Sequence, residues 1–190
     1  IDSNNEIVIF PPNLYINQVN ILYKDKINFM LGGQRLSCIG RDTYTNGLPS
    51  EMFIDNGCEY ILVGHSEIRN DGYSILSTMN ELRCSKGLQV IFCVGEDEDS
   101  RTSGNTQEML ANQLDDLCNK DRHELNIKKA IIAYEPVWAI GTGNIPKLDD
   151  ISFIHRYIKT YVSENHPFLK EEDIMVLYGG SVNSKNAKEI

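Results

Sequence analysis

The chain predicts an α/β protein of repeated βα units whose strands close into a barrel rather than an open doubly wound sheet. Three observations carry this. Short apolar, β-rich runs recur at residues 7–10, 28–31, 60–63, 90–94, 130–134 and 174–178. They are continuous rather than alternating, as strands of a parallel sheet covered on both faces are. Polar residues gather just past the ends of several different strands, and a barrel brings all such ends together where an open sheet collects one or two.

Taken in order, the second run leads to Gln34, and Gly57 reads as the stop of the helix that follows. The third run delivers His65-Ser66-Glu67, and Gly87 reads as the next helix stop. The fourth ends in Gly95-Glu96, and beyond it Leu110, Leu114 and Leu117 repeat at the spacing of one helix face. The fifth ends in Glu135. Ile151, Ile154, Ile158 and Tyr161 then mark another helix, with Asp149 or Asp150 as its expected N-cap. The sixth ends in Gly179-Gly180-Ser181. No linker or low-complexity tract divides the sequence, so residues 1–190 read as a single partial barrel domain.

The bulk composition narrows the function. At 190 residues, 41% apolar and 24% charged, the chain is an ordinary globular domain with a real core. Its net charge of −9 argues against a nucleic-acid partner, which wants a basic face. An anionic substrate would have to be drawn in by local backbone dipoles or a placed cation. The five cysteines (Cys38, Cys58, Cys84, Cys93, Cys118) lack metal-ligand or CxxC spacing and read as reduced thiols. No apolar run approaches the roughly 18 residues that a membrane span needs. A cytoplasmic location is the expectation, with an organelle open if a targeting segment has been lost. The chain has no initiator Met and stops inside a helical pattern at Ile190, so both ends read as cut.

Three constellations bear on chemistry. In Tyr134-Glu135-Pro136 a strand presents a carboxylate at its tip and a proline stiffens the exit. Val137-Trp138-Ala139-Ile140-Gly141-Thr142-Gly143 then forms an apolar flap with glycines at its far end. Such a flap excludes water and raises the basicity of the carboxylate beside it. His65 stands at a strand end next to small and polar neighbours; alone, such a histidine is more often a structural one. Two glycines at Gly179-Gly180 let backbone N–H groups turn toward an anion, although Gly-Gly-Ser is also a common turn.

Together these blocks resemble the triosephosphate isomerase family. The run from Ala133 to Gly143 is similar to its active-site loop, residues 63–69 (Val-Gly-His-Ser-Glu-Ile-Arg) to its strand-four motif, and residues 177–182 (Leu-Tyr-Gly-Gly-Ser-Val) to its phosphate loop. Pro11-Pro12, Gln34, Asp55-Asn56-Gly57 and Cys93-Val94-Gly95-Glu96 fall in register, so the resemblance covers the whole chain. It implies a TIM (βα)8 barrel, incomplete here, with about six βα units and without strands one and eight. It implies the interconversion of dihydroxyacetone phosphate and glyceraldehyde 3-phosphate, a step of glycolysis and gluconeogenesis, with no metal or organic cofactor. Glu135 is then the base and His65 a neutral electrophile, a pairing for which this family is itself the standard example. Glu67 organises the site. Gly141, Gly179, Gly180 and Ser181 hold the phosphate, with Ser181 facing the flap. Residues 41–47 resemble the dimer loop, and Thr45 falls on its interface threonine, implying a homodimer.

Departures from the family matter as much. Gly47 and Ile68 stand where the family has a Glu and an Arg that pair across the dimer, so an altered or weaker dimer is expected. By the resemblance, Pro146 takes the position whose N–H donates to the Tyr178 hydroxyl when the flap closes, and proline has none to give. The family's Asn-and-Lys strand and its last phosphate glycines are absent. A degenerate, non-catalytic barrel serving binding or assembly, and another phosphate-binding barrel enzyme, are the alternative readings.

Overall fold

The computed structural model describes residues 5–26, 28–37, 47–70, 75–118, 129–142 and 144–190. Among them are six strands, β1 (Ile7–Ile9), β2 (Phe29–Gly33), β3 (Cys58–Val63), β4 (Gln89–Val94), β5 (Ala130–Tyr134) and β6 (Ile174–Tyr178). Seven helices accompany them: α1 (Ile16–Tyr23), α2 (Ser50–Asp55), α3 (Ser66–Asn70), α4 (Ile75–Cys84), α5 (Glu98–Thr102), α6 (Thr106–Cys118) and α7 (Leu148–Asn165). Each sequence-predicted strand is present. The second is displaced furthest, and Asn28, expected to open it, instead holds left-handed backbone just before it (φ +62°).

The chain packs as two compact units, residues 1–63 with 76–91 and residues 64–75 with 92–190. In the first, β1, β2, β3 and the opening residues of β4 follow one another in chain order. β1 runs parallel to β2 with Ile7 opposite Phe29. β2 runs parallel to β3, with an irregularity between Leu31 and Gly32. Leu31, Leu36, Phe53, Ile61 and Leu82 are its buried core. Gly57 does end α2: it takes left-handed backbone (φ +82°), and its N–H donates to the Ile54 carbonyl at 2.9 Å.

In the second unit the end of β4 is followed by β5 and β6, again in chain order. β5 and β6 pair in parallel over their full length, from Ala130 opposite Ile174 to Tyr134 opposite Tyr178. α6 buries Leu110, Leu114 and Leu117, the face its spacing predicts. α7 buries Ile151, Ile154, Ile158 and Val162. Its start differs from expectation. The helix begins at Leu148, so Asp149 and Asp150 lie in its first turn, where they favour the helix dipole, and Lys147 is an N-cap without a side-chain bond. Parallel strands laid down in chain order, with helices between them, are the repeat of a (βα)8 barrel.

Candidate active site

Every described residue of the site lies in the second unit. Gly64, at φ +74°, turns the chain out of β3 and into α3. Arg69 secures that turn: its Nε donates to the Gly64 carbonyl at 2.7 Å and its guanidinium to the Cys93 carbonyl at 3.0 Å. His65 is therefore held where its carbonyl accepts the N–H groups of Ile68 and Arg69. Its Nδ1 accepts the N–H of Glu67 at 3.4 Å. A ring nitrogen that accepts a backbone N–H carries no proton, which assigns the proton of the neutral ring to Nε2. Nε2 faces Glu135 Oε1 at 3.4 Å.

Glu135 is only 6% exposed. Its N–H donates to the Val94 carbonyl at 2.7 Å, extending the sheet by one rung beyond β5. Its Oε2 accepts the Ser66 N–H at 3.1 Å. The Cys93 thiol also bonds this carboxylate. Burial, then the Glu135 charge and that bond, push the thiol well above its usual range and keep it protonated. A cavity of about 260 Å³ adjoins the carboxylate, and Gly64, Ser66, Arg69, Gly95 and Gln113 contribute to its wall.

The flap leaves Glu135 through Pro136 and a 3-10 turn, Val137–Ala139. Its apolar body is anchored by a second carboxylate, Glu96, which is 0% exposed. Glu96 Oε1 accepts Trp138 Nε1 at 2.8 Å and the Tyr134 hydroxyl at 3.1 Å. The Glu96 carbonyl accepts the Val137 N–H at 3.0 Å. Arg101 lies 3.8 Å from the same carboxylate and stacks its guanidinium on the Trp138 ring at 3.9 Å. Burial raises the Glu96 carboxyl above the usual carboxylate range; the bonds from Trp138 and Tyr134 and the Arg101 charge offset part of this. Ile140 is exposed, and Gly141 holds left-handed backbone (φ +71°) in open space. Thr142 turns its hydroxyl back to the Ala139 carbonyl at 3.2 Å.

The expected phosphate loop needs one correction. The Gly179 N–H donates to the Tyr134 carbonyl at 2.7 Å, which commits it to the sheet rather than to an anion. Gly179 serves by lacking a side chain, since a Cβ there would lie 2.8 Å from Glu135 Cγ. Ser181 does face the flap, its Oγ donating to the Ala139 carbonyl at 3.4 Å. Tyr178 ends β6 with its hydroxyl buried and unbonded among the described residues.

His65, Ser66 and Glu135 are thus brought together, and Ser181 meets the flap. The Glu67 carboxylate is not gathered in: its side chain is 88% exposed and 4.0 Å from His65 Nδ1, and only its N–H engages the imidazole. Thr45, Gly143 and residues 41–46 of the expected dimer loop lie outside the described residues. Cys93, Glu96, Arg101 and Gln113 join the site without a role legible in the sequence. Glu96 stood in a named polar cluster, but its partners are 38 and 42 positions away. No group of three or more His, Cys, Asp or Glu among the described residues is arranged to hold a metal. No helix among them is long and apolar enough to cross a membrane.

Comparison with known proteins joins this geometry to a family. The family model described as triosephosphate isomerase matches residues 1–190. The chain is 35% identical over 198 residues to the triosephosphate isomerase of Shewanella pealeana, covering 100% of this chain and 75% of that protein. It is 36% identical to that of Shewanella amazonensis with the same coverage, and 34% identical over 194 residues to that of Neurospora crassa, covering 76% of it. The chain belongs to the triosephosphate isomerase family, a family of isomerases, and its six strands with the helices between them are those of an incomplete TIM (βα)8 barrel.

Proposed function

We propose that the protein interconverts dihydroxyacetone phosphate and D-glyceraldehyde 3-phosphate by proton transfer between adjacent carbons. Glu135 takes a proton from C1 of the ketose, and the electron pair left behind forms an enediolate. Nε2–H of His65 stabilises the charge that develops on the C2 oxygen. A proton passes from the C1 hydroxyl to the C2 oxygen, Glu135 returns its own proton to C2 as the C1 carbonyl forms, and the aldose results with no net change in oxidation state. Glu67 contributes through its backbone N–H, which fixes the tautomer that leaves Nε2 as the donor.

Gly141, Gly180 and Ser181 hold the phosphate, and the flap from Pro136 to Gly143 keeps water from the enediolate. The single observation supporting this reading most strongly is the buried Glu135 carboxylate facing His65 Nε2 at 3.4 Å, with Nδ1 already occupied by a backbone N–H. A homodimer through the loop around Thr45 and a cytoplasmic location belong to the same reading.

Isomerase turnover of the wild type and of Glu135→Gln tests it. Loss of the base is expected to lower kcat by about 10²- to 10⁴-fold. Unchanged turnover in Glu135→Gln would remove the mechanism. An inactive wild type would favour a barrel kept for binding or assembly.

A further inference from the structure

We infer that Gln113, on α6, is a positioning residue that sets the catalytic base and the flap together; this rests on the reading of Glu135 given above. Gln113 holds the segment after β4 as a neighbouring strand would. Its Oε1 accepts the Gly95 N–H at 2.8 Å, and its Nε2 donates to the Gly95 carbonyl at 2.9 Å. A primary amide offers the same donor and acceptor pair as a peptide group, so one side chain satisfies both polar groups of Gly95.

What this clamp secures is unusual. Gly95 packs so closely on Glu135 that a Cβ would overlap the Glu135 carbonyl. On one side of Gly95, the Val94 carbonyl holds the Glu135 N–H; on the other, the Glu96 carbonyl holds the Val137 N–H. The Glu96 carboxylate holds the Trp138 indole. Three consecutive residues therefore locate the base, the start of the flap and its aromatic anchor, and the middle one is fixed by Gln113. Gln113 and Glu135 also line the same cavity. Gln113 touches no reacting atom, and its effect passes through the backbone of residues 94–96.

The expected kinetic result is a loss in kcat rather than in substrate affinity. Gln113→Met, similar in length but without the amide, is expected to lower kcat by about 10- to 100-fold, because small misplacements of a catalytic group cost that much. KM is expected to stay within about threefold. Gln113→Glu supplies a readout that a merely structural role would not move. When ionised, the introduced carboxylate offers two acceptors, one of them opposed to the Gly95 carbonyl. When protonated it again offers one donor and one acceptor. The ratio of variant to wild-type kcat is therefore expected to rise as pH falls from 8 toward 5.5.

A ratio that stays flat with pH, or a Gln113→Met kcat within twofold of wild type, overturns the proposal. Trp138, the single tryptophan of the chain, reports on the same segment without requiring turnover. Gln113→Met is expected to shift its emission and increase its quenching by acrylamide while the far-ultraviolet circular dichroism is kept. If the wild type proves inactive, the functional reading fails, and the fluorescence alone decides: unchanged emission and quenching overturn the role of Gln113.

Discussion

Glu96 and Glu135 are both buried carboxylates one residue beyond neighbouring strands or close to it, and their surroundings give them different work. Glu135 is bonded by Ser66, Cys93 and its own backbone anchor, and its Oε1 looks toward His65. Glu96 sits wholly inside, with one oxygen serving two donors and the other, Oε2, unbonded among the described residues. A carboxylate in that position is a fastener. His155 shows the same physics with the opposite sign. Its ring packs edge-on to Tyr134, and its buried Nε2 lacks a partner among the described residues. Burial, and then the Lys159 charge, hold its pKa below the ordinary 6.5. A depressed folded-state value means that, below about pH 6.5, the unfolded chain takes up a proton before the native chain does, so stability is lost on acidification. His155→Phe removes both the titration and the orphan nitrogen. Urea midpoints should show the variant more stable by about 1 kcal/mol at pH 7. Its advantage should widen as pH falls toward 5, and equal pH slopes in the two proteins would count against this account.

Among the elements, the flap and β6 carry the most consequence. The Tyr178 hydroxyl is buried and unbonded among the described residues, and Pro146 has no N–H to offer it. On the proposed function, closure would then rest on contacts such as Ser181 with Ala139. Tyr178→Phe should accordingly leave kcat within about twofold of wild type, since the hydroxyl has no hydrogen-bond partner among the described residues; a loss of tenfold or more in steady-state assays would show that the hydroxyl is used. The strands themselves were legible because continuous apolar runs have few other uses in a chain of this kind. Burial along them was less so. β6 alternates, with Met175 at 56% and Leu177 at 39% exposed, whereas its run of apolar residues reads as two-sided burial. The start of α7 differs from the expected one because acidic residues suit both an N-cap and a first turn. Glu135, His65 and the flap could be read from local order in the sequence. The clamp of Gln113 on Gly95 and the grip of Glu96 on Trp138 could not, since each joins residues whose proximity only the fold creates.

At the scale of the whole molecule, charge and association are the open variables. A net charge of −9 gives no general attraction for a phosphorylated triose, which leaves capture to local backbone donors. Gly47 and Ile68, standing where the family carries a charged pair across its interface, lead to a specific expectation for assembly. Sedimentation velocity should find the proposed homodimer dissociating measurably on dilution into the nanomolar range, and a dimer that persists there would remove the idea.

The bond from the Ser66 N–H to Glu135 closes a span of 69 residues. Bringing such distant points together costs about 4 kcal/mol of chain entropy by the logarithmic loop law, and nothing local repays it in advance. Helices and adjacent βα pairs form from near neighbours and need not wait for that closure. Time therefore separates having structure from having chemistry. On dilution from denaturant, the helical signal should return first and isomerase activity afterwards, the lag measuring how late the two halves of the catalytic pair meet.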